Sequence, residues 1–175
     1  MTWAFSDESE RGSSMLLGVG FVPTAAIITA RRELRGLLLP GQRRVHMAKE
    51  SPRRRKVVLD LVRELELDAL ILVHRRQAGT HPVEARRRLI VAAAGLVTAR
   101  GASTWVLDDQ EQVQAARDRH DIATVLGPDA TVVYDHRPSR DEPLLWAIDA
   151  VVWAAGARSE WSRRVSHLLT TQVVP

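Results

Sequence analysis

The chain has 175 residues, 45% of them hydrophobic and 26% charged. That is ordinary globular composition for one domain spanning residues 1–175, and it excludes a disordered chain. There is no cysteine, so disulfide scaffolds, thiolate zinc sites and cysteine nucleophiles are excluded too. The net charge is +4, and apart from Lys49 and Lys56 every cation is an arginine. The planar donor fork of arginine suits phosphate, although a GC-rich genome would give the same excess.

The charges are unevenly placed. Residues 31–100 sum to +10 and residues 101–150 to −6. A basic middle beside an acidic remainder suits a polyanion partner together with a metal site; solvated faces would give the same sums.

In chain order, residues 3–6 read as a short strand leading into Asp7-Glu8-Ser9, and Gly12-Ser13-Ser14 as a turn. The uncharged stretch from 12 to 30 approaches membrane-helix length. Three glycines, Pro23 and four hydroxyl residues interrupt it, and its upstream flank is acidic where a signal peptide needs a positive one. It reads instead as a hairpin: a strand over 16–22, a turn at Pro23-Thr24 and a strand over 25–29. A soluble, cytoplasmic protein with no membrane association is the expectation. A short helix over 31–39 stops at Pro40-Gly41, and Ser51-Pro52 opens another with Ser as N-cap. Residues 69–73 read as a buried strand, 82–100 as a helix closed by Gly101, and 103–107 as a strand ending at Asp108-Asp109. Mixed helix and loop follow over 111–126, a strand over 131–134, a Pro-bounded loop over 137–141, an apolar helix over 144–157 and an amphipathic stretch from 159 to about 169. Strands alternating with helices after an antiparallel three-strand start indicate an α/β domain with a mixed sheet and helices on both faces.

Three acidic positions carry the chemistry. Asp7 ends the first strand and Asp108-Asp109 end another. Asp149 is the only charge in the run LLWAIDAVVWAAGA, on a helix apolar on nearly every side. A lone buried carboxylate must be paired, hydrogen-bonded or bound to a metal. Singly, each has a structural reading, as a turn residue at Asp7 and Asp108-Asp109 and as a hydrogen-bonded core residue at Asp149. Together, oxygen-only ligands fit Mg²⁺ or Mn²⁺. Two such ions about 4 Å apart can clamp the attacking and leaving oxygens of a phosphodiester.

The segments FSDES at 5–9, RVH at 44–46, WVLDD at 105–109 and WAIDA at 146–150 together resemble the ribonuclease-H-like superfamily. They are most similar to a bacterial family of uncharacterised nuclease domains within it, over residues 2 to about 157. The resemblance implies a ribonuclease-H-like fold and a metal-dependent nuclease site, with Asp7, Asp108 and Asp149 as metal ligands and His46 as a site residue. Two positions depart from the pattern: Arg44 stands where an acid is expected, and Ile148 precedes Asp149 in place of Ala. Glu8, Glu50 or Asp109 could supply a fourth carboxylate.

His46, flanked by Arg43, Arg44 and Lys49, is read as a phosphate contact or proton donor, or as a solvated loop residue. His74, at the end of a strand, is a second candidate. Arg53-Arg54-Arg55-Lys56 opens a helix, where cations oppose the dipole. With Arg44, the run is a candidate nucleic-acid contact, since phosphate at an Arg-lined helix N-terminus gains from backbone N–H groups and guanidinium alike. Arg86-Arg87-Arg88 would extend that surface. Trp146 and Trp153, seven apart, read as core. The leading reading is a metal-dependent nuclease acting on RNA, DNA or a hybrid. The alternative is an inactive nucleic-acid-binding or protein-interaction module of the same fold, such as a partner in a toxin–antitoxin or mobile-element system. A protein partner or a homodimer is left open.

Overall fold

The computed structural model describes residues 1–77, 81–157 and 160–175. Strand β1 (Thr2–Arg11) turns at Gly12, whose φ of 56° is the left-handed conformation that glycine adopts without strain, and returns antiparallel as β2 (Ser14–Pro23). Residues 25–29, expected as a third strand, are instead a single 3-10 turn (Thr24–Ala26) and the start of helix α1 (Ile27–Arg35). Ile27, Ala30 and Leu34 are buried on one face of that helix, a spacing of three and four that a strand cannot present. Helix α2 (Pro52–Glu64) starts with the Ser51 hydroxyl accepting the Arg54 N–H and Pro52 in the first turn, as the sequence predicts.

The third antiparallel strand is β3 (Asp68–Arg75), paired with β2. Helix α3 (Pro82–Ala99) is followed by Gly101 at φ 62° and by β4 (Ala102–Asp108). Helix α4 (Gln112–Leu126) is continuous, and strand β5 (Val133–Arg137) includes the arginine expected in the loop after it. Helix α5 (Pro143–Gly156) carries the apolar run. The last stretch divides into a short helix, α6 (Glu160–Val165), and a strand, β6 (Leu169–Val174), that the sequence reading lacked. Ser159, its expected start, lies outside the described residues.

The six strands form one mixed sheet in the order β5-β4-β1-β2-β3-β6. The β1/β2 and β2/β3 pairs are antiparallel; β1/β4, β4/β5 and β3/β6 are parallel. Helices cover both faces. Phe5, Leu16, Ile71 and Val106 face α1, α2, α5 and α6, while Ala4, Leu17, Leu72 and Trp105 face α3 and α4. Both tryptophans of α5 belong to the first core, with Trp146 2% exposed and Trp153 packed against it. Among the described residues, no helix is long and apolar enough to cross a membrane.

One contact sets the position of α5. Gly18 and Gly20 lie on the β2 face beneath it. A Cβ at Gly18 would stand 2.2 Å from Val152 Cγ2, and one at Gly20 2.3 Å from Ile148 Cδ1. The two missing side chains let the helix rest directly on the strand. Gly18 is also the sheet partner of Asp7, so this close approach brings Asp149, next to Ile148, alongside the middle of β1, where Asp7 stands; the sequence expectation that Asp7 ends the first strand fails, because β1 continues to Arg11 in pairing with β2.

Candidate active site

Pleating assigns the carboxylates to faces. In β1, Phe5 points into the core under α5, and Asp7, two residues on, shares its side. In β4, Val106 faces α5 and Asp108 follows on that side. The parallel register pairs Ser6 with Leu107, so Asp7 and Asp108 stand side by side where the β1/β4 ladder ends. Asp149 comes down from α5. Its Oδ2 accepts the Met47 backbone N–H at 2.8 Å and faces His46 Nδ1 at 3.3 Å. The connection between α1 and α2, expected only as a polar segment, is therefore bound to the site. Met47 is fully buried, and Arg55 of α2 donates to the Met47 and Ala48 carbonyls at 2.9 and 3.1 Å.

The electrostatics record the convergence. Burial, followed by repulsion from Asp149 and Asp108, pushes the Asp7 carboxyl well above the usual carboxylate range; Arg44 and Arg86 act in the opposite direction. Burial also raises Asp108, against the Asp109 backbone, the Arg44 charge and the Ser139 hydroxyl and backbone, which lower it. Arg44 thus stands among the acids, and its Nη1 donates to Ser139 Oγ. Asp108, Asp109, Arg44, Ser139 and Arg140 line a cavity of about 290 Å³ beside the cluster.

No protein-family model and no curated protein matches this sequence. Solved structures do resemble it. Ribonuclease H2 from Pyrococcus horikoshii OT3 matches with a TM-score of 0.60 at 17% identity, over 95% of this chain and 76% of that one. The fold is ribonuclease-H-like. RNase HII from Archaeoglobus fulgidus, solved as a complex with PCNA, matches with a TM-score of 0.56 at 15% identity, over 96% and 76% of the two chains. Within this ribonuclease-H-like sheet the three aspartates lie on the α5 face, with Asp7 in mid-strand and Asp108 at the end of β4, just past the last β1/β4 pair.

The donor set fits a hard divalent cation in kind: carboxylate oxygens, one of them buried among like charges. It does not form a closed cage, since among the described residues no group of three or more His, Asp or Glu side chains is placed so that it could hold a metal ion. Mg²⁺ suits an open site, because it keeps several waters and commonly binds one or two carboxylates plus substrate phosphates.

The structure separates the other candidates. Glu8, a candidate metal ligand, points to the opposite face from Asp7, because neighbouring strand residues alternate, and pairs with Arg86 of α3. Glu50 is buried and engaged by Gln42 at 2.6 Å and Arg54 at 3.5 Å. Asp109 is exposed, and its Oδ1 accepts the Gln110 N–H at 3.1 Å. His74 is buried against the Val174 carbonyl on the α3 face.

The basic run at the start of α2 divides as well. Arg53 and Lys56 are exposed. Arg54 donates to the Leu37 carbonyl at 2.5 Å, and Arg55 holds Met47 and Ala48 and stacks over Trp153 at 4.4 Å. These two guanidinium groups join α2 to the chain before it and are not free for a ligand. Arg86, expected on a basic surface, is 6% exposed and bound to Glu8 and Asp118. The sequence reading missed Ser139, whose buried hydroxyl and carbonyl connect Arg44, Asp108 and Trp146; a lone serine in a Pro-bounded loop carries no signal. It also missed the buried set Arg86, Asp118 and His136 on the far face.

Proposed function

We propose that this protein is a nuclease that hydrolyses phosphodiester bonds of RNA, DNA or an RNA–DNA hybrid with Mg²⁺ or Mn²⁺ bound at the cluster of Asp7, Asp108 and Asp149 by one or two of its carboxylates together with substrate phosphate. The observation that carries this reading is the convergence of these carboxylates from β1, β4 and α5 on one face, where burial first and then repulsion from Asp149 and Asp108 raise Asp7. The two similar structures, both ribonucleases by name, support it through the fold. When bound, the ion would polarise the phosphate and lower the pKa of a coordinated water.

The chain's own groups have distinct tasks. Asp7 and Asp108 sit on a rigid sheet, which suits a site that must hold its geometry. The Met47 N–H and His46 Nδ1 fix the orientation of the Asp149 carboxylate. His46 is partly exposed, with its Nε2 as the remaining ring nitrogen, so it can carry a proton to the departing oxygen. In the reaction a water oxygen bonds to phosphorus, the bridging P–O bond breaks, and the proton lost by water is balanced by one gained by the leaving oxygen. Exposed Arg53 and Lys56 supply charge for the polyanion backbone.

End-labelled RNA, DNA and hybrid duplexes, incubated with Mg²⁺, Mn²⁺ or chelator, test this reading. Cleavage should require the metal and disappear in Asp7→Asn and Asp149→Asn, each of which keeps side-chain shape. Absence of both cleavage and metal-induced thermal stabilisation in the wild type would refute it. The second reading, a non-catalytic nucleic-acid or protein-interaction module, is favoured by one observation: a guanidinium, Arg44, already acts on two of the three acids.

A further inference from the structure

We propose that the β6 edge of the sheet is a self-association surface: two copies of this chain pair β6 against β6, antiparallel, with the two-fold axis at Thr171. The first support is a free edge. The sheet order gives β6 a neighbour, β3, on one side only. The Leu168 carbonyl accepts the Ala69 N–H. By strand alternation, residues 168, 170, 172 and 174 then aim their peptide groups at β3, and Leu169, Thr171 and Val173 aim theirs outward. Among the described residues, no backbone group pairs with those three. The strand is also held in place at its end. His74 Nδ1 lies 3.0 Å from the Val174 carbonyl oxygen, and Arg88 Nη1 donates to the Pro175 backbone oxygen at 3.0 Å. A fixed row of unpaired peptide groups is a template for another strand.

The second support is the contrast between the two edges. The opposite edge strand, β5, carries Asp135, His136 and Arg137, the kind of charge that blunts an edge. Strand β6 reads LTTQVV, with neither charge nor proline, and its Val173 is 60% exposed.

The third support is a register that suits a second copy. Centring the pair on Thr171 sets Leu169 of one copy opposite Val173 of the other, and Thr171 opposite itself. All the outward residues then form hydrogen-bonded pairs, each exchanging both backbone bonds. The aliphatic pairs cover Val173, and the Thr–Thr pair at the centre is a favourable cross-strand neighbour. Thr171 is in register with Ile71 of the core beneath α5, so the paired side chains lie on the α5 face. The axis therefore runs perpendicular to the sheet, and both aspartate clusters face the same side of one continuous sheet. A single strand per copy falls well short of the roughly 20–30 residues a side of a standard interface, so the association is weak and concentration-dependent.

Sedimentation equilibrium of the full chain from about 1 μM to about 1 mM, the span of weak association, tests this. Wild type should pass from monomer to dimer. Thr171→Lys and Thr171→Glu, each placing like charges opposite one another at the axis, should each stay monomeric. An equimolar mixture of the two variants should regain the dimer, because position 171 meets itself only across this two-fold. Hydrogen exchange of the wild type needs no variant to fold. The Leu169, Thr171 and Val173 amides should slow as concentration rises, while those of Thr170 and Gln172, already directed at β3, should not change. A wild type that stays monomeric throughout, either variant dimerising like the wild type, a mixture that fails to dimerise, or exchange at those three amides that ignores concentration would overturn the proposal. The nuclease reading depends on none of these outcomes.

Discussion

Replacing Arg86 with methionine removes the centre of a buried charge network while keeping side-chain length. The Arg86 Nε and Nη2 donate to Asp118 at 2.8 to 3.3 Å, His136 Nε2 stands 3.2 Å from the same carboxylate, Gln114 donates to it at 2.9 Å, and Glu8 pairs with the remaining guanidinium nitrogen. Arg86 and Asp118 are 6% and 1% exposed. Burial by itself would raise Asp118. The hydrogen bonds from His136 and Arg86, the Arg86 charge and the Gln114 bond outweigh it and hold Asp118 at about 2, against 3.8 ordinarily. That difference corresponds to roughly 2–3 kcal/mol of stability at neutral pH. Removing the arginine also strands Glu8, so the loss should reach about 3–5 kcal/mol, the range for breaking a buried pair by deleting one partner. For a domain of this size that is a fall of roughly 6–20 °C in Tm.

The sign follows from the lowered Asp118. Its stabilisation is present above the ordinary carboxylate value near 3.8 and is lost as pH falls through about 2. The deficit of Arg86→Met should therefore be largest near neutrality and shrink in acid. Urea unfolding at several pH values between 7 and 2 measures it, and Arg86→Met/Asp118→Asn should recover part of the loss. A neutral-pH difference under about 1 kcal/mol, or one that does not shrink in acid, would refute the assignment of this stability to the network.

Asp7→Asn should raise the Tm of the metal-free protein at neutral pH, because burial and the neighbouring aspartates raise Asp7 in the folded state and its charged form therefore costs stability above that raised value. The gain should fade in acid, and the variant should lose stabilisation by Mn²⁺; thermal scans with and without the ion check both. Gly18→Ala would drive a methyl group to within 2.2 Å of Val152 Cγ2, so it should cost about 1–3 kcal/mol or more as α5 shifts, and metal-dependent stabilisation should weaken with it. Native stability and native ion affinity in that variant would show that α5 is not seated by the glycine. Arg53→Glu/Lys56→Glu should weaken nucleic-acid binding and flatten its dependence on log salt by about one unit or more, with little change in Tm; an unchanged slope would remove that helix end from the interface.

Much of the fold was readable because it is recorded in local pattern. The Ser51-Pro52 cap, the helix ended by Gly101 and the strand ending at Asp108 all depend on a few adjacent residues, and all are present. The errors fall where local pattern is ambiguous. Four apolar residues and a threonine at 25–29 fit a strand or a helix turn equally until the buried Ile27, Ala30 and Leu34 show the period. Strand β6 is specified by pairing with β3, about 100 residues away in sequence, and its own alternation is muted because most of its residues are exposed. The same division holds for the site. Asp149 was legible as one charge in an apolar helix and Asp108 as an acid at a strand end, whereas Asp7, read as a strand end, lies mid-strand because β1 continues to Arg11. Glu8 was not separable from Asp7 until the pleat assigned them to opposite faces.

By itself the sequence determined which residue types exist for chemistry: oxygen ligands without thiols, arginine as the dominant cation, and one carboxylate placed in an apolar helix. Only the tertiary structure decided which of them meet. A strand sends adjacent side chains to opposite faces, and a helix brings its residues wherever its seat allows, so proximity depends on register and on the close approach at Gly18 and Gly20. It likewise decided the fate of the arginines. Arg54, Arg55 and Arg86 look like free positive charge in a row of letters, but a guanidinium within reach of buried carbonyls or carboxylates is held there, because leaving those groups unpaired costs more than withdrawing the cation from water.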